Sequence, residues 1–512
     1  MPQPQTNLDN PQQSKGLYRF LNWIERIGNK LPDPFFIFVY LAAFVMLLSW
    51  LVHSMGVTVV HPGTGEELPI RSLISGEGIQ YILSSMLTNF TGFKPLGLVL
   101  AMMLGIGLAE KVGLLESVIK KSILNAPKAL ITYAVIFIGI LGNLASDAAF
   151  VLIPPLAAMV FYTVGRHPLA GLAAGFAGVG AGFTANIFIA GTDALLSGIS
   201  TEAAKASGIE NVIVTPVDNW YFMCTSVIIL SIVGALITER IIEPRLGVYK
   251  GKVDKELEEA SPLEGKALRN SLIAGLVYLG LVALMLFWPN SPLRNEEGGI
   301  IPSPFLSGIV PIILLFFITV GVAYGITMKK ITSSKDIPKY MGEAMKDMSG
   351  YIVLIFAAAQ FISYFNWSNL GTWVAVNGAE FLTSMDLTGL PVVVGFSMLT
   401  AVLNLIIFSG SAQWALEAPV FIPMLMLLDY HPAFIQAAYR IADSSTNIIT
   451  PLNPYILIVL AFMREYDKKA GLGTLISLML PYSIIFYAIW LVLLIVFAVF
   501  GIPFGPGIGV HL

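Results

Sequence analysis

Two segments of this chain set small polar residues and prolines inside sequence that is otherwise apolar enough for a lipid bilayer. The first runs from Ser146-Asp147 through Pro155 and Arg166-His167-Pro168 to Gly182-Phe183-Thr184-Ala185-Asn186. The second runs from Ser409-Gly410-Ser411 through Pro419 and Tyr430-His431-Pro432 to Asp443-Ser444-Ser445-Thr446-Asn447. Pro155 and Pro419 precede their His-Pro pair by the same interval. Lipid offers no partner for the backbone groups that such breaks expose, so they persist where they line a cavity or a binding site. One broken segment in each half predicts a transporter built from duplicated halves, with its site between them.

The surrounding sequence supports a membrane setting. Of 512 residues, 56% are hydrophobic and 12% charged, where a soluble domain carries about 25% charged residues. Apolar runs at 35–52, 271–288, 305–327 and 475–500 reach or approach the roughly 20 residues that cross a bilayer. Net charge is −3, which gives no basis for a nucleic-acid partner. Cys224 is the single cysteine, so neither an internal disulfide nor a cysteine-based metal cluster is possible. No G-x-x-x-x-G-K-[ST] motif is present, which argues against an ATP-driven pump.

Positive residues mark the cytoplasmic side. They concentrate in the first 32 residues, 240–269, 329–346 and 464–469, whereas 53–77, 200–219 and 289–303 are poor in Lys and Arg. The N-terminal tail, 1–32, is therefore expected inside, with an amphipathic piece near 16–29. A first half spans 33–240, a cytoplasmic loop 241–268 and a second half 269–503, leaving 504–512 as an outer tail. Segment 129–165 reads either as two full spans or as one re-entrant hairpin, and its short arms favour the hairpin. A second hairpin, 389–430, enters from the opposite face. Broken helices are expected at 168–199 and 433–463. The fold class is thus an all-α polytopic membrane protein with about nine crossings and two re-entrant hairpins in an inverted repeat. A helix lying on the inner surface is expected within 329–346.

Several constellations carry candidate chemistry. Asn143, Ser146 and Asp147 form the first hairpin tip, either as oxygen ligands for a hard cation such as sodium or as caps of two helix ends. Asn186 and Asn447 sit at the two helix breaks and extend the possible sodium set, and Asn186 is also a candidate substrate contact. Asp193 is either a protonatable carboxylate on the pathway or an ordinary loop-end residue. Ser411 and Trp414 belong to the second hairpin tip, where Trp414 is either an aromatic wall for a substrate ring or core packing. Glu417, one turn further, is an intramembrane acid without a sequence partner. Arg440 and Asp443 share a helix face. They form either a self-neutralising structural pair or a substrate anchor, with Arg440 holding an anionic group through its planar fork and Asp443 responding to cation or proton. Pro451 belongs to the unwound stretch beyond them. His167 and His431, each before a proline, predict a shared turn rather than a metal site.

The chain resembles the p-aminobenzoyl-glutamate transporter (AbgT) family of the ion-transporter superfamily nearly end to end. The resemblance rests on Glu25-Arg26-Ile27-Gly28-Asn29-Lys30, Gly165-Arg166-His167-Pro168, Thr192-Asp193-Ala194-Leu195-Leu196-Ser197-Gly198, Val217-Asp218-Asn219-Trp220-Tyr221-Phe222-Met223 and Arg440-Ile441-Ala442-Asp443-Ser444-Ser445. It implies a bowl-shaped homodimer of nine helices and two hairpins per protomer. It further implies uptake of p-aminobenzoyl-glutamate or efflux of sulfonamide antimetabolites. Positions matching the family's functional residues are Asp193, Ser411, Trp414, Pro432, Arg440, Asp443 and Pro451; Glu417 matches none.

The expected protein is a cation-coupled secondary transporter in a bacterial inner membrane, driven by proton-motive force or a sodium gradient, with no bound cofactor and no catalysis. Its partners would be the lipid bilayer, a small anionic aromatic substrate and a second copy. A sodium-coupled dicarboxylate carrier is the alternative. An ion channel would need rings of carbonyls or charges, and an enzyme would need a nucleophile or metal constellation; neither pattern is evident.

Overall fold

The computed structural model describes residues 32–251 and 261–512; within it, the side chains of Ser146 and Asp147 are not described. The expected amphipathic piece at 16–29 lies outside the described residues, as do any contacts of Ser146 and Asp147. Most of the described residues are helical. Among the described residues the one sheet is a two-stranded ribbon, β1 (Thr58–Val60) against β2 (Glu67–Pro69).

The first half comprises α1 (Pro34–Ser54), α2 (Gly76–Thr91), α3 (Lys94–Lys111), α4 (Leu114–Leu124), α5 (Ile131–Leu141), α6 (Ser146–Thr163), α7 (Pro168–Ala181), α8 (Gly191–Ala204) and α9 (Trp220–Ile237). The second comprises α10 (Pro262–Phe287), α11 (Ile309–Thr327), α12 (Asp336–Asp347), α13 (Ser349–Trp367), α14 (Leu370–Ser384), α15 (Leu390–Asn404), α16 (Gly410–Met426), α17 (Pro432–Thr446), α18 (Tyr455–Tyr466) and α19 (Leu472–Val499). Among the described residues, eight helical stretches are long and apolar enough to cross a membrane. Seven coincide with expected crossings. The eighth, Lys128–Ala145, is the first arm of the expected hairpin with its turns. The remaining two expected crossings, 168–199 and 433–463, are each split into a pair of short helices, α7/α8 and α17/α18. Helix α2 was not anticipated; it runs into α3 through Gly92-Phe93 as one long kinked element.

The matched His-Pro pairs do the same work in both halves. His167 and His431 are the N-caps of α7 and α17, each with proline at the first helical turn. In each, ring Nδ1 accepts a hydrogen bond from the backbone N–H two residues on, Leu169 or Ala433, at 3.2 Å. The imidazole satisfies an otherwise orphan N–H, and the proline brings φ already set for a helix. Every residue of α7 and of α17 is buried, so these helices form the core of the molecule. Close approach is bought with glycine: a Cβ on Gly139 of α5 would lie 2.9 Å from the Cα of Gly178 in α7.

Each corner is also fastened by the segment that follows its own half's last crossing. After α9, Tyr249 packs edge-on to His167 at 5.2 Å and to Tyr162 at 6.0 Å. After α19, His431 N–H donates to Val510 O at 2.8 Å, and the ring of His511 stacks on Tyr430 at 5.7 Å. Residues 504–512 are therefore not a loose tail. Phe504 is fully buried among Phe222, Phe434 and Phe497. The expected surface helix is α12, which packs on α3 and pairs through Asp347 with Lys111 at 2.6 Å.

Candidate functional site

The helix breaks face one another. Residues 182–190 of the first half and 447–454 of the second lie beside the tip of hairpin α15–α16. Between them is a cavity of about 310 Å³, lined by Phe150, Phe183, Thr184, Thr192, Leu195, Leu196, Phe408, Ser409, Gly410, Ser411, Asp443, Asn447 and Tyr455. Two helix N-termini open onto it. Ser409 caps α16, accepting from Ala412 N–H at 3.4 Å, so Gly410 and Ser411 form the first turn. Thr192 lies in the first turn of α8. Unpaired N–H groups and the macrodipole make such ends favourable for anions. The aromatic wall consists of Phe150 stacked on Tyr455, with centroids 4.3 Å apart and planes within 4°, and of Phe183 beyond it at 6.1 Å.

At the N-terminus of α8 lies an ion pair that joins the halves. Arg440 Nη2 donates to Asp193 Oδ1 at 2.6 Å and to the carbonyl of Thr184. Asp193 Oδ2 accepts from Asn186 Nδ2 at 2.9 Å and from Ala190 N–H at 2.7 Å. Asp193 thereby caps α8, neutralises Arg440 and steadies the unwound 182–190 stretch at once. The expected Arg440–Asp443 pairing does not form as an ion pair. Arg440 turns across to the other half, where a cap carboxylate is already held by two N–H donors. Asp443 instead faces the cavity, against Gly410, and its Oδ1 has no hydrogen-bond partner.

A second correspondence ties the breaks to the hairpin tips. Asn143 Nδ2 donates to Asn186 Oδ1 and to Phe183 O, the latter at 2.6 Å. Asn404 Nδ2 donates to Asn447 Oδ1 at 3.1 Å and to Asp443 O at 2.7 Å. Both asparagine pairs are 43 positions apart. Both hairpin asparagines keep a buried Oδ1 without a partner. Of the possible sodium ligands, Asn143 and Asn186 are thus brought together in one half and Asn447 stands in the other. Asn404 was missed by sequence reasoning, although its spacing to Asn447 repeats that of Asn143 to Asn186.

Five expected substrate contacts lie off the cavity: Arg440 and Asn186, whose bonds are given above, and Trp414, Pro432 and Pro451. Trp414 is 0% exposed. Its ring packs on Tyr439 at 4.4 Å, and its indole N–H donates to Ser200 Oγ at 3.1 Å and Leu196 O at 3.3 Å. The α8–α16 contact consumes both its apolar face and its donor, so Phe150, Phe183, Phe408 and Tyr455 take the place expected of it. Pro432 is the buried first residue of α17, and Pro451 lies in the unwound stretch without lining the cavity. Ser411, Asp443 and Asn447 do line it. No group of three or more His, Cys, Asp or Glu side chains that could hold a metal ion occurs among the described residues.

Crossed helix breaks around a central cavity, with a hairpin tip from each half beside them, define an integral membrane transporter. The chain belongs to the AbgT putative transporter family, which matches residues 19–512. It is 45% identical over 504 residues to the p-aminobenzoyl-glutamate transport protein of Escherichia coli (strain K12), covering 98% of each chain. Among solved structures, the Alcanivorax borkumensis YdaH transporter superposes with a TM-score of 0.88 at 39% identity, over 93% of this chain and 100% of that one. Neisseria gonorrhoeae MtrF, described as illuminating a class of antimetabolite efflux pumps, superposes with a TM-score of 0.90 at 40% identity, over 96% of this chain and 100% of that one.

Proposed function

We propose that this protein is a cation-coupled secondary transporter of p-aminobenzoyl-glutamate and of related aromatic anions, sulfonamide antimetabolites included. The observation that carries this reading is the cavity's double character. Stacked aromatic rings and the N-termini of α8 and α16 both line it. A flat benzoyl ring suits the first, and a carboxylate or sulfonyl group suits the second. The aromatic side favours this class over an aliphatic dicarboxylate. Arg440 supports the anion side from behind rather than touching substrate.

Coupling falls to Asp443 and the two asparagine pairs. Asp443 and Asn447 face the cavity, and the unpartnered Oδ1 atoms of Asn143 and Asn404 offer oxygen to a hard cation such as sodium. Asp147 and Ser146, at the first hairpin tip, are candidates for the same role on sequence grounds, and Asp193 reaches it through Arg440. We place the protein in a bacterial inner membrane as a homodimer, with its N-terminus cytoplasmic and residues 504–512 periplasmic. Labelled p-aminobenzoyl-glutamate and a labelled sulfonamide, offered to proteoliposomes under separately imposed proton and sodium gradients, test the reading. Saturable flux that follows either gradient, or both, supports it. Flux indifferent to both gradients, or no flux of either compound, removes it.

A further inference from the structure

The face of α16 that meets Asp443 continues away from the cavity. Gly410, Gln413 and Glu417 are spaced by three and four residues, which places them on one side of the helix. Opposite them α15 presents Asn404 and, one turn earlier, Thr400. Glu417 Oε2 accepts from Thr400 Oγ1 at 2.5 Å, and Oε1 accepts from Gln413 Nε2 at 2.7 Å. Gln413 Nε2 also donates to Thr400 O at 2.9 Å. Asn404 links back to the carbonyl of Asp443 and to Asn447. A buried polar row therefore runs from the cavity at Asp443 to Glu417. Along it, Asp443 Oδ1, Asn404 Oδ1 and Gln413 Oε1 are buried acceptors with no donor.

The charges around this row do not balance. The titratable or charged groups on the elements packed against α16 are Asp193 and Glu202 on α8, Lys205 just after it, Glu380 on α14, Tyr351 and Tyr364 on α13, and Tyr439, Arg440 and Asp443 on α17. Lys205 is bound by Glu202 and Arg440 by Asp193. Glu417 is 2% exposed and makes no ion pair among the described residues. An ionised carboxylate there would be a buried charge without compensation, which is costly. Thr400 resolves this without moving, because its hydroxyl donates to a carboxylate or accepts from a carboxyl group.

We propose that Glu417 is a proton-carrying site of this transporter. It holds one proton while the row is sealed. It releases that proton toward Asp443 and the cavity when hairpin α15–α16 moves. One O–H bond at Glu417 breaks, and the proton passes to Asp443 or to water; nothing is oxidised or reduced. This proposal rests on the transport reading above.

The test compares wild type with Glu417→Gln in proteoliposomes, alongside binding of p-aminobenzoyl-glutamate to the detergent-purified protein. Glu417→Gln keeps the shape and the hydrogen bonds but cannot ionise. The expected result is substrate affinity close to wild type, proton-driven flux at least about tenfold slower, and a flattened pH profile. Wild-type flux with a wild-type pH profile overturns the proposal, because a carboxyl group that merely fills space is fully replaced by the amide. Should Glu417→Gln not yield folded protein, Thr400→Val decides. It leaves the carboxyl in place without its hydroxyl partner, and it must shift the midpoint of the flux–pH curve; an unmoved midpoint overturns the proposal equally. Failure of the wild type to bind or move the substrate would instead remove the transport reading.

Discussion

Arg440 and Asp193 stand 247 positions apart in the chain, yet Nη2 of one lies 2.6 Å from Oδ1 of the other, both buried. The contact welds the second half's broken helix to the cap of the first half's. Removing one partner leaves an uncompensated buried charge, which costs roughly 3–5 kcal/mol. Asp193→Ala and Arg440→Ala are each expected to lower thermal stability in detergent by that order. Asp193→Leu combined with Arg440→Met should recover much of the stability while flux stays lost. A double variant as unstable as the singles would contradict the pairing.

Gly410, at the hairpin tip, packs against Asp443. A Cβ there would lie 2.9 Å from Asp443 Oδ1. Gly410→Ala is therefore expected to insert and fold but to lose flux, since the added methyl displaces the carboxylate that faces the cavity. Ser411→Ala, which adds nothing, serves as the comparison. Fluorescence size-exclusion profiles and proteoliposome flux of the two variants check this.

The two unpartnered asparagine oxygens make a paired prediction. Asn143→Ala and Asn404→Ala should each raise the sodium concentration for half-maximal flux by about tenfold, or about 1.4 kcal/mol of cation affinity. Their effects should be similar because their surroundings repeat. Flux of both variants with an unchanged sodium dependence would show that neither oxygen meets the cation.

Aromatic residues separate binding from packing. Phe150→Ala opens the stacked wall and is expected to weaken p-aminobenzoyl-glutamate affinity more than it lowers stability. Trp414→Phe should do the reverse. It leaves Ser200 and Leu196 without their indole donor, at about 1–3 kcal/mol. Isothermal titration and thermal melts on the same preparations distinguish the two.

Asp218 lies in the loop before α9 and accepts from Thr215 N–H at 3.0 Å and from the Thr215 hydroxyl. Burial pushes its carboxyl up to about 6, against the lowering effect of the Thr215 hydrogen bonds. The unfolded chain loses this proton near pH 4, while the folded chain keeps it. Stability from this group is thus fully present below pH 4 and falls as pH rises to about 6, by on the order of 3 kcal/mol, then levels. Asp218→Asn should abolish that decline in melting curves collected across the window.

Much of this arrangement is legible in residues, because membranes tie sequence to depth. The His-Pro corners, the helix breaks and the hairpin tips all show as polar or proline interruptions of apolar sequence, and each falls where the structure has one. Partner choice is less legible. Arg440 and Asp443 share a helix face, but periodicity is silent on which carboxylate from the other half arrives first. Trp414 carries the same ambiguity, since an aromatic at a hairpin tip fits a cavity wall and a helix contact equally well. Asn404 escaped notice because it sits at the end of an ordinary apolar helix and is marked only by its interval to Asn447. Helix α2 went unread because Gln, Ser, Thr and Asn dilute its apolar residues below the density of a crossing.

The fastening of each corner has a practical corollary. Tyr249 closes the His167 corner before residue 251, and Val510 and His511 close the His431 corner from the far end of the chain. Neither closure borrows a strap from the other half. Cutting the polypeptide between Gly251 and Ser261 would therefore sever neither, and the two fragments, co-expressed, should find each other through the Arg440–Asp193 contact and assemble into a split transporter.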